Sequence, residues 1–255
     1  MRYIIAFCTF SLLTIGVLAK HVRIMGGEDV DVRAYPFMAS FRYLGYASTF
    51  CTGVIISNKH IVTTAQALAF RSMDISLARV YTATISTDIN IGIAHKIQQI
   101  FIHPRYTGEH NQDEMFLHDI AIVKLKEAIQ LNEVQNTIEI LQRDITENDR
   151  GFVLGWGSTS FPTLSYPTKM QKVNMNIVPE RLYNNYFNFV LHDTQFGGLN
   201  KKGIGLCIGD IGDPLIIDGK LAGLASFSRP CALGVPDVYV KIYYYIDFIR
   251  DMINR

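Results

Sequence analysis

Three groups of residues in this sequence carry side chains able to take part in catalysis. Cys51 has a thiol, His118 and Asp119 place an imidazole beside a carboxylate, and residues 207–213 combine a cysteine with two glycines and two aspartates. A catalytic thiol needs a base close to it, and a buried cysteine is usually inert. Adjacent strand residues point to opposite sides, so His118 and Asp119 do not form an acid–base pair by themselves. Taken singly, none of these groups predicts an active site.

The elements that must position these groups are short β-rich runs closed by turn residues. They cover residues 37–43, 53–56, 61–64, 78–85, 120–125, 151–154, 215–217, 220–226 and 238–240. Many short strands without long helical patterns between them predict a sandwich or barrel. The polar stretch 127–149 is the expected crossing between two halves. Apolar residues at helical spacing predict an amphipathic helix over about 241–254, with Ile242, Tyr245, Ile246, Ile249 and Ile253 on one face.

The composition excludes several classes of protein. The chain has 255 residues, of which 49% are hydrophobic and 18% charged, and its formal net charge is +1. A disordered chain would have few apolar residues and a high net charge, so this one is globular and long enough for a hydrophobic core. The charge balance gives no attraction to nucleic acid or to an anionic membrane, and we expect neither as a partner.

The N-terminus has the pattern of a secretory signal peptide. Arg2 precedes an apolar stretch over residues 3–19, which ends in the small and apolar residues typical of a signal peptidase site. This stretch is too short for a membrane anchor and is followed by basic residues. We therefore predict a signal peptide at 1–19 and a secreted, extracellular protein. Cleavage removes Cys8 and leaves an odd number of cysteines, namely Cys51, Cys207 and Cys231.

Six segments, in order along the chain, resemble those of the trypsin and chymotrypsin family of serine proteases. They are residues 23–27 at the activation site, 50–53 and 61–67 around the catalytic His of the TAAHC motif, 118–121 around the catalytic Asp, 155–157 in Gly-Trp-Gly, and 207–215 in the nucleophile loop CxGDSGGPL. The resemblance implies an all-β fold of two packed antiparallel six-stranded β-barrels with a C-terminal amphipathic helix. The trypsin-like domain would span 24–255, with the first barrel at about 24–130 and the second at about 140–240.

At the triad positions the resemblance places Gln66, Asp119 and Ile211. Acyl transfer in this family needs a hydroxyl nucleophile, an imidazole and a carboxylate. The side chain of Ile211 is all carbon, and the neutral amide of Gln66 does not exchange protons near pH 7. We therefore expect an inactive homologue rather than an enzyme, with the N–H groups of Gly209 and Ile211 at the oxyanion-hole positions. A buried Asp119 needs hydrogen bonds, and we predict that Gln66 and Ser226 donate them.

The specificity pocket also departs from the family's pattern. Its floor is Gly205, so the acidic residue that selects Arg or Lys is absent at that position, while Ser226 keeps the family's serine. Two wall positions that are usually glycine are Ser228 and Asp237, whose side chains narrow the pocket. Asp213 replaces the second glycine of GDSGGP, where a left-handed or crowded backbone favours glycine.

The resemblance also implies an activation site. Cleavage after Arg23 would remove a propeptide of residues 20–23 and free the amino group of Ile24 to pair with Asp210. The alternative, which we favour, is that this ion pair persists only to support the loops of the second barrel.

The resemblance implies a disulfide between Cys207 and Cys231. Cys51 matches one half of the bridge beside the catalytic His, but Ala67 stands at the partner position, so we expect Cys51 to remain a buried thiol.

The chain resembles the inactivated protease paralogues of parasitic scabies mites. The shared features are the very short propeptide, the loss of both Ser and His, and a calcium loop at 71–92 whose acids are only Asp74 and Asp88, too few for an oxygen cage. We expect no metal and no cofactor. The resemblance implies a secreted pseudoprotease that binds proteins and interferes with a host proteolytic cascade such as complement, with complement components as partners. Two alternatives stay open, a residual or unconventional hydrolase and a structural or storage protein.

A binding surface is predicted at the aromatic and amide-rich segment 183–189, whose composition resembles protein-binding paratopes. Its candidate contacts are Tyr183, Tyr186 and Phe187. The alternative is a short helix that buries Leu182, Tyr186 and Phe189. Segments 42–46 and 161–167 are further exposed aromatic candidates.

Overall fold

The computed structural model describes residues 25–69, 74–109, 111–229 and 231–255. The predicted signal peptide, the propeptide, Cys8 and the activation residues Arg23 and Ile24 lie outside these ranges. Among the described residues, no helix is long and apolar enough to cross a membrane.

The first barrel is a closed ring of six antiparallel strands in the order β2-β3-β4-β7-β6-β5. The strands are β2 (Met38–Tyr43), β3 (Thr49–Ile55), β4 (His60–Thr63), β5 (Ala78–Thr82), β6 (Ile93–Ile102) and β7 (Ala121–Leu125). Its interior is apolar and includes Phe41, Ile61, Val80 and Val123, all fully buried. Burial of these side chains drives the closure of the barrel.

The second barrel is built from β8 (Arg150–Gly155), β9 (Gln171–Ile177), β10 (Gln195–Leu199), β11 (Pro214–Ile217), β12 (Lys220–Phe227) and β13 (Asp237–Lys241). The order β9-β10-β13-β12-β11-β8 closes because β8 also pairs with β9. The short strand β1 (Glu28–Asp29) pairs with β9 as well. The N-terminal residues that were expected in the first barrel thus extend the sheet of the second.

The two barrels share one hydrophobic core at their interface. It contains Val62 and Ile122 from the first barrel, Leu154 and Val240 from the second, and Ile249 from the C-terminal helix. The chain crosses between the barrels through residues 127–149, as the polarity of this segment predicts. On the first barrel the Ile138 N–H donates to the Ile55 carbonyl of β3, and on the second the Leu141 N–H donates to the Leu221 carbonyl at 3.0 Å.

The chain closes with a 3-10 helix (Ile242–Tyr245) that continues into the α-helix α2 (Ile246–Ile253). The buried residues are Ile242, Tyr245, Ile249 and Met252, spaced as an amphipathic helix requires. The helix packs on the shared core and thereby covers the interface between the barrels.

Candidate functional site

The three triad positions lie on separate connections between strands. Gln66 is on the short helix α1 (Ala65–Ala69) after β4, Asp119 comes two residues before β7, and Ile211 is in the loop before β11. Gly212 has a φ of +92°, and a Cβ at this position would lie 2.5 Å from the Thr52 carbonyl oxygen. Only glycine allows this approach, which brings the loop of Ile211 against the first barrel.

Asp119 is fully buried and its two oxygens are taken by neutral donors. Oδ1 accepts the Gln66 backbone N–H at 2.7 Å. Oδ2 accepts the Gln66 Nε2 amide and the Ser226 hydroxyl, both at 2.6 Å. Gln66 Nε2 also donates to the Ser226 carbonyl. The two side-chain hydrogen bonds predicted from the sequence are thus present, and the backbone bond from Gln66 is an additional one.

The surroundings of Asp119 favour its protonated, uncharged form more than solvent would. Burial raises the pKa of Asp119 to about 6, against the opposing effect of the hydrogen bonds from Ser226, Gln66 and Ala65. Burial outweighs these bonds because all of the donors are neutral. Gln66 therefore holds the carboxyl by hydrogen bonds, but its amide neither takes up nor releases a proton near pH 7.

Asp210 is held at the base of the nucleophile-position loop. Its Oδ1 accepts the Gly157 N–H at 2.7 Å and its Oδ2 accepts the Cys207 N–H at 2.8 Å. Burial raises the pKa of Asp210 to about 6. The pairing of Asp210 with the amino group of Ile24 stays a prediction, because Ile24 lies outside the described residues.

Asp213 places a second carboxyl beside Asp210. Its φ is not positive, so the backbone there does not demand glycine, but its carboxyl lies in contact with Gly155. Both Asp213 oxygens are buried, and the carboxyl lies beside Asp210 and Thr52 without a well-directed hydrogen bond to either. Burial and the neighbouring charge of Asp210 raise the pKa of Asp213 well above its usual range. Of the two reasons for glycine at this position, crowding therefore applies and a left-handed backbone does not.

The family model described as trypsin matches residues 24–249. The chain belongs to the trypsin family. It is 24% identical to chymotrypsin-2 of Vespa crabro over 89% of this chain and 98% of that protein, and 28% identical to trypsin of Saccharopolyspora erythraea over 91% and 98%. It is also 30% identical to trypsin theta of Drosophila erecta over 90% of this chain and 87% of that protein.

A solved structure shares the trypsin-family fold of this chain. Neuropsin, described as a serine protease expressed in the limbic system of mouse brain, superposes with a TM-score of 0.80 at 21% identity, covering 89% of this chain and 98% of that one. The likeness confirms two six-stranded antiparallel barrels with a short C-terminal helix.

The carboxyl of Asp237 lies beside Gly205, the expected floor of the trypsin-family specificity pocket. A Cβ on Gly205 would lie 3.4 Å from Asp237 Oδ2 and 3.5 Å from the Ala232 Cβ. Asp237 is buried, and its Oδ2 accepts one long bond of 3.3 Å from the Leu206 N–H. Burial, and then the charge of Asp210, raise the pKa of Asp237 to about 8. The sequence pattern predicted that the Asp237 side chain narrows the pocket, but not that its carboxyl lies beside Gly205.

Four more residues are expected at the pocket and the oxyanion hole. Ser226 is fully buried in the Asp119 cluster, and Ser228 is half-buried at the end of β12. Gly209, at the first oxyanion-hole position, has a φ of +102°, and a Cβ there would lie 3.3 Å from the ring of Tyr166. Ile211, at the second, is half-buried and offers no hydroxyl.

The trypsin-family disulfide expected between Cys207 and Cys231 is present, with an S–S distance of 2.01 Å. Cys51 is a buried thiol, as expected, and is not part of a disulfide. Its Sγ lies 3.0 Å from the Thr63 Oγ1 and donates to the Thr52 carbonyl at 3.2 Å. These contacts hold the thiol inside the first barrel.

His118 has a structural position rather than one facing Gln66. Its Nδ1 lies 2.9 Å from the Tyr245 hydroxyl, and its ring stacks on His103 with 4.9 Å between ring centroids. Burial, and then the positive charge of Arg105, lower the pKa of His118 to about 4. A neutral His118 thus ties the Asp119 loop to the C-terminal helix.

In the predicted binding surface at 183–189 the aromatic side chains are buried or half-buried, and only the three asparagines are exposed. Phe187 is buried with Phe189 and Val238, so its prediction as an exposed contact is wrong. Tyr183 is half-buried and its hydroxyl accepts the Gly197 N–H at 3.0 Å, while Tyr186 is half-buried. The segment Glu180–Asn185 is a 3-10 helix, and its aromatic neighbours pack inward.

No group of three or more His, Cys, Asp or Glu side chains in the described part of the chain is arranged to hold a metal ion. Asp74, in the expected calcium loop, accepts the Ser76 N–H, and Asp88 accepts that of Asn90, so both acids close local turns.

Proposed function

We propose that this protein is a secreted trypsin-family pseudoprotease that has no peptidase activity and acts by binding another protein. The observation that carries the proposal is the Asp119 cluster. Gln66 donates a hydrogen bond to the Asp119 carboxyl, which in an active protease would orient the catalytic imidazole. At the expected nucleophile position stands Ile211, whose side chain is a hydrocarbon. In related hydrolases, losing the nucleophile or the base alone lowers turnover by about a million-fold.

The pocket supports the same proposal. The Asp237 carboxyl stands beside the expected floor, since a Cβ on Gly205 would lie 3.4 Å from its Oδ2, and it takes up space that a substrate side chain would need. Asp213 adds a buried carboxyl beside Asp210 whose oxygens make no well-directed hydrogen bond. These changes affect substrate binding and loop stability independently of the missing triad members.

Secretion is proposed from the N-terminal signal-peptide pattern. Protein binding is proposed because a trypsin-family domain without a nucleophile retains its surface loops, and loops on a rigid scaffold are where such folds recognise partners. Host complement components are the first partner class to test, on the strength of the resemblance to the mite paralogues.

Two experiments separate this proposal from its alternatives. Fluorogenic peptide turnover by the wild type should equal that of Asp119→Asn, and turnover above that variant would favour a residual hydrolase. Surface plasmon resonance against purified complement components should give saturable binding, and absence of saturable binding to every component would favour a structural or storage protein.

A further inference from the structure

Arg42, on β2, is a fully buried arginine outside the Asp119 cluster. A buried charge is costly unless hydrogen bonds and opposite charge compensate for its lost hydration. Burial lowers the pKa of Arg42 to about 10, so the guanidinium still carries its charge at neutral pH. The group therefore needs polar partners inside the protein.

The hydrogen-bond partners of the Arg42 guanidinium are uncharged oxygen atoms. Nε donates to the Ser40 hydroxyl at 3.0 Å, Nη2 to the Ser86 carbonyl at 2.6 Å, and Nη1 to the Asp88 carbonyl at a longer 3.4 Å. The Cζ atom lies over the Tyr81 ring, 4.7 Å from its centroid, which is a cation–π distance. The planar fork of a guanidinium serves these directions at once, whereas an ammonium group is a compact point charge.

The two carbonyls belong to residues 83–92, which connect β5 to β6 and which we call the bridging loop. The other side of this loop is bonded to the second barrel. The Ile85 carbonyl accepts the Trp156 Nε1–H and the Met170 N–H, both at 2.8 Å. Trp156 and Met170 lie in the hydrophobic core that the two barrels share. The bridging loop thus joins the barrels, and the guanidinium is its anchor on the first of them.

The family resemblance implies a calcium loop in this region, but the residues present do not fit one. Calcium takes about six to eight oxygen ligands, with carboxylates prominent among them. Asp88 is the only acid in the bridging loop, and its Oδ1 accepts the Asn90 N–H at 2.9 Å. The carbonyls of Ser86 and Asp88 already face a positive charge, which is part of the chain itself.

We propose that the Arg42 guanidinium is a built-in cation that holds the bridging loop on the first barrel, so that the contact of this loop with Trp156 needs no metal ion. The inference concerns how the barrels are joined and does not depend on the proposed function. It assigns a role to a buried charge that the sequence motifs do not indicate.

Trp156 reports this contact directly, because it is the only tryptophan in the sequence and its indole N–H bonds to the bridging loop. The test measures quenching of Trp156 fluorescence by acrylamide in the full-length secreted protein, with calcium or with the chelator EDTA. Trp156 is only 3% exposed, so quenching of the wild type should be weak. It should be the same in calcium as in EDTA.

Two substitutions test the guanidinium itself. Arg42→Met removes the charge, and Arg42→Lys keeps the charge but loses the planar fork. Each should raise the quenching constant of Trp156 at least about threefold, because local opening of the bridging loop exposes the indole. The matched control is Arg33→Lys, the same change at an exposed arginine, which should leave the constant unchanged. If Arg42→Met does not fold, Arg42→Lys and the wild-type comparison still decide the question.

Stronger quenching of the wild type in EDTA than in calcium would overturn the proposal, since a bound metal ion would then be holding the loop. Equal quenching of Arg42→Lys and the wild type would also overturn it, because the fork of the guanidinium would then have no role. Either result would leave the proposed function in place. Peptide turnover by the wild type would refute the proposed function without affecting the role of Arg42.

Discussion

The Gln66 side-chain amide donates to Asp119 Oδ2 at 2.6 Å, while the Gln66 backbone N–H donates to Oδ1 of the same carboxyl at 2.7 Å. One residue thus holds both oxygens of Asp119 inside the protein. In the proposed function, an amide stands where the family has its catalytic imidazole; it keeps the carboxyl hydrogen-bonded and does not exchange protons near pH 7. The Asp119 cluster then has a structural role.

The first prediction concerns the stability of this cluster. Gln66→Ala leaves Asp119 with fewer donors, and an unsatisfied buried group costs about 1–3 kcal/mol. Urea unfolding followed by fluorescence should show a loss of that size. The matched control is Gln130→Ala, whose side chain is exposed and should change the free energy of unfolding by less than about 0.5 kcal/mol. Equal effects of the two substitutions would contradict a structural role for Gln66.

The second prediction concerns Asp237 and pH. Its pKa is raised from 3.8 to about 8, so between these values the folded protein holds a proton that the unfolded chain has released. Asp237 therefore costs no stability at pH 4, increasingly destabilises the fold as pH rises, and reaches its full cost above pH 8. Asp237→Asn should match the wild type near pH 4 and exceed it by a few kcal/mol near pH 8.

The measurement is the free energy of unfolding in urea at several pH values. Asp251→Asn, at an exposed position, should show no such pH-dependent gain over the wild type. A stability advantage of Asp237→Asn that is largest at low pH would have the wrong sign and refute the assignment.

The third prediction concerns the second buried carboxyl. Asp213→Gly removes a buried carboxyl whose oxygens make no well-directed hydrogen bond, at an entropic cost of about 0.5–1 kcal/mol for the added glycine. The net result at pH 8 should be stabilisation by about 1–3 kcal/mol, because burial strongly disfavours ionised Asp213. Thermal unfolding checks this, with the exposed Asp193→Gly as control. A lower melting temperature for Asp213→Gly than for the control would show that the carboxyl has a stabilising partner.

The fourth prediction concerns the cysteines. In a chain beginning at residue 20, Cys51 is buried and the other two cysteines form the disulfide. A thiol reagent should not react with the native protein and should modify one thiol after denaturation. Reducing the disulfide should cost about 2–4 kcal/mol of stability. Rapid modification of the native protein would show that Cys51 is accessible to solvent, against the structure.

The sequence was sufficient for the fold because the family motifs lie in a fixed order and each strand run is short and closed by turns. The predicted runs omit β1, β6, β9 and β10. In β9 polar and apolar residues alternate as in a half-buried strand, so the signal was present there and was not used. The C-terminal helix was predictable because its apolar residues keep helical spacing, and the packing confirms it.

The hydrogen bonds of Asp119 were predictable, because the motif positions imply that Gln66 and Ser226 lie beside it. The directions of individual side chains were not predictable from the sequence. Asp237 reaches the pocket floor from β13, and Phe187 turns inward after a 3-10 helix rather than an α-helix. Neither direction is encoded in spacing alone, since both result from packing between distant segments.

The most direct test of the central claim is labelling of the purified secreted protein with a fluorophosphonate, read by intact-mass spectrometry. The reagent needs an activated hydroxyl, and Ile211 has none. The account predicts no mass increase, with active trypsin labelled completely in the same tube. A stoichiometric adduct on this chain, lost in the Asp119→Asn variant, would contradict it, because it would reveal a working nucleophile in the cleft.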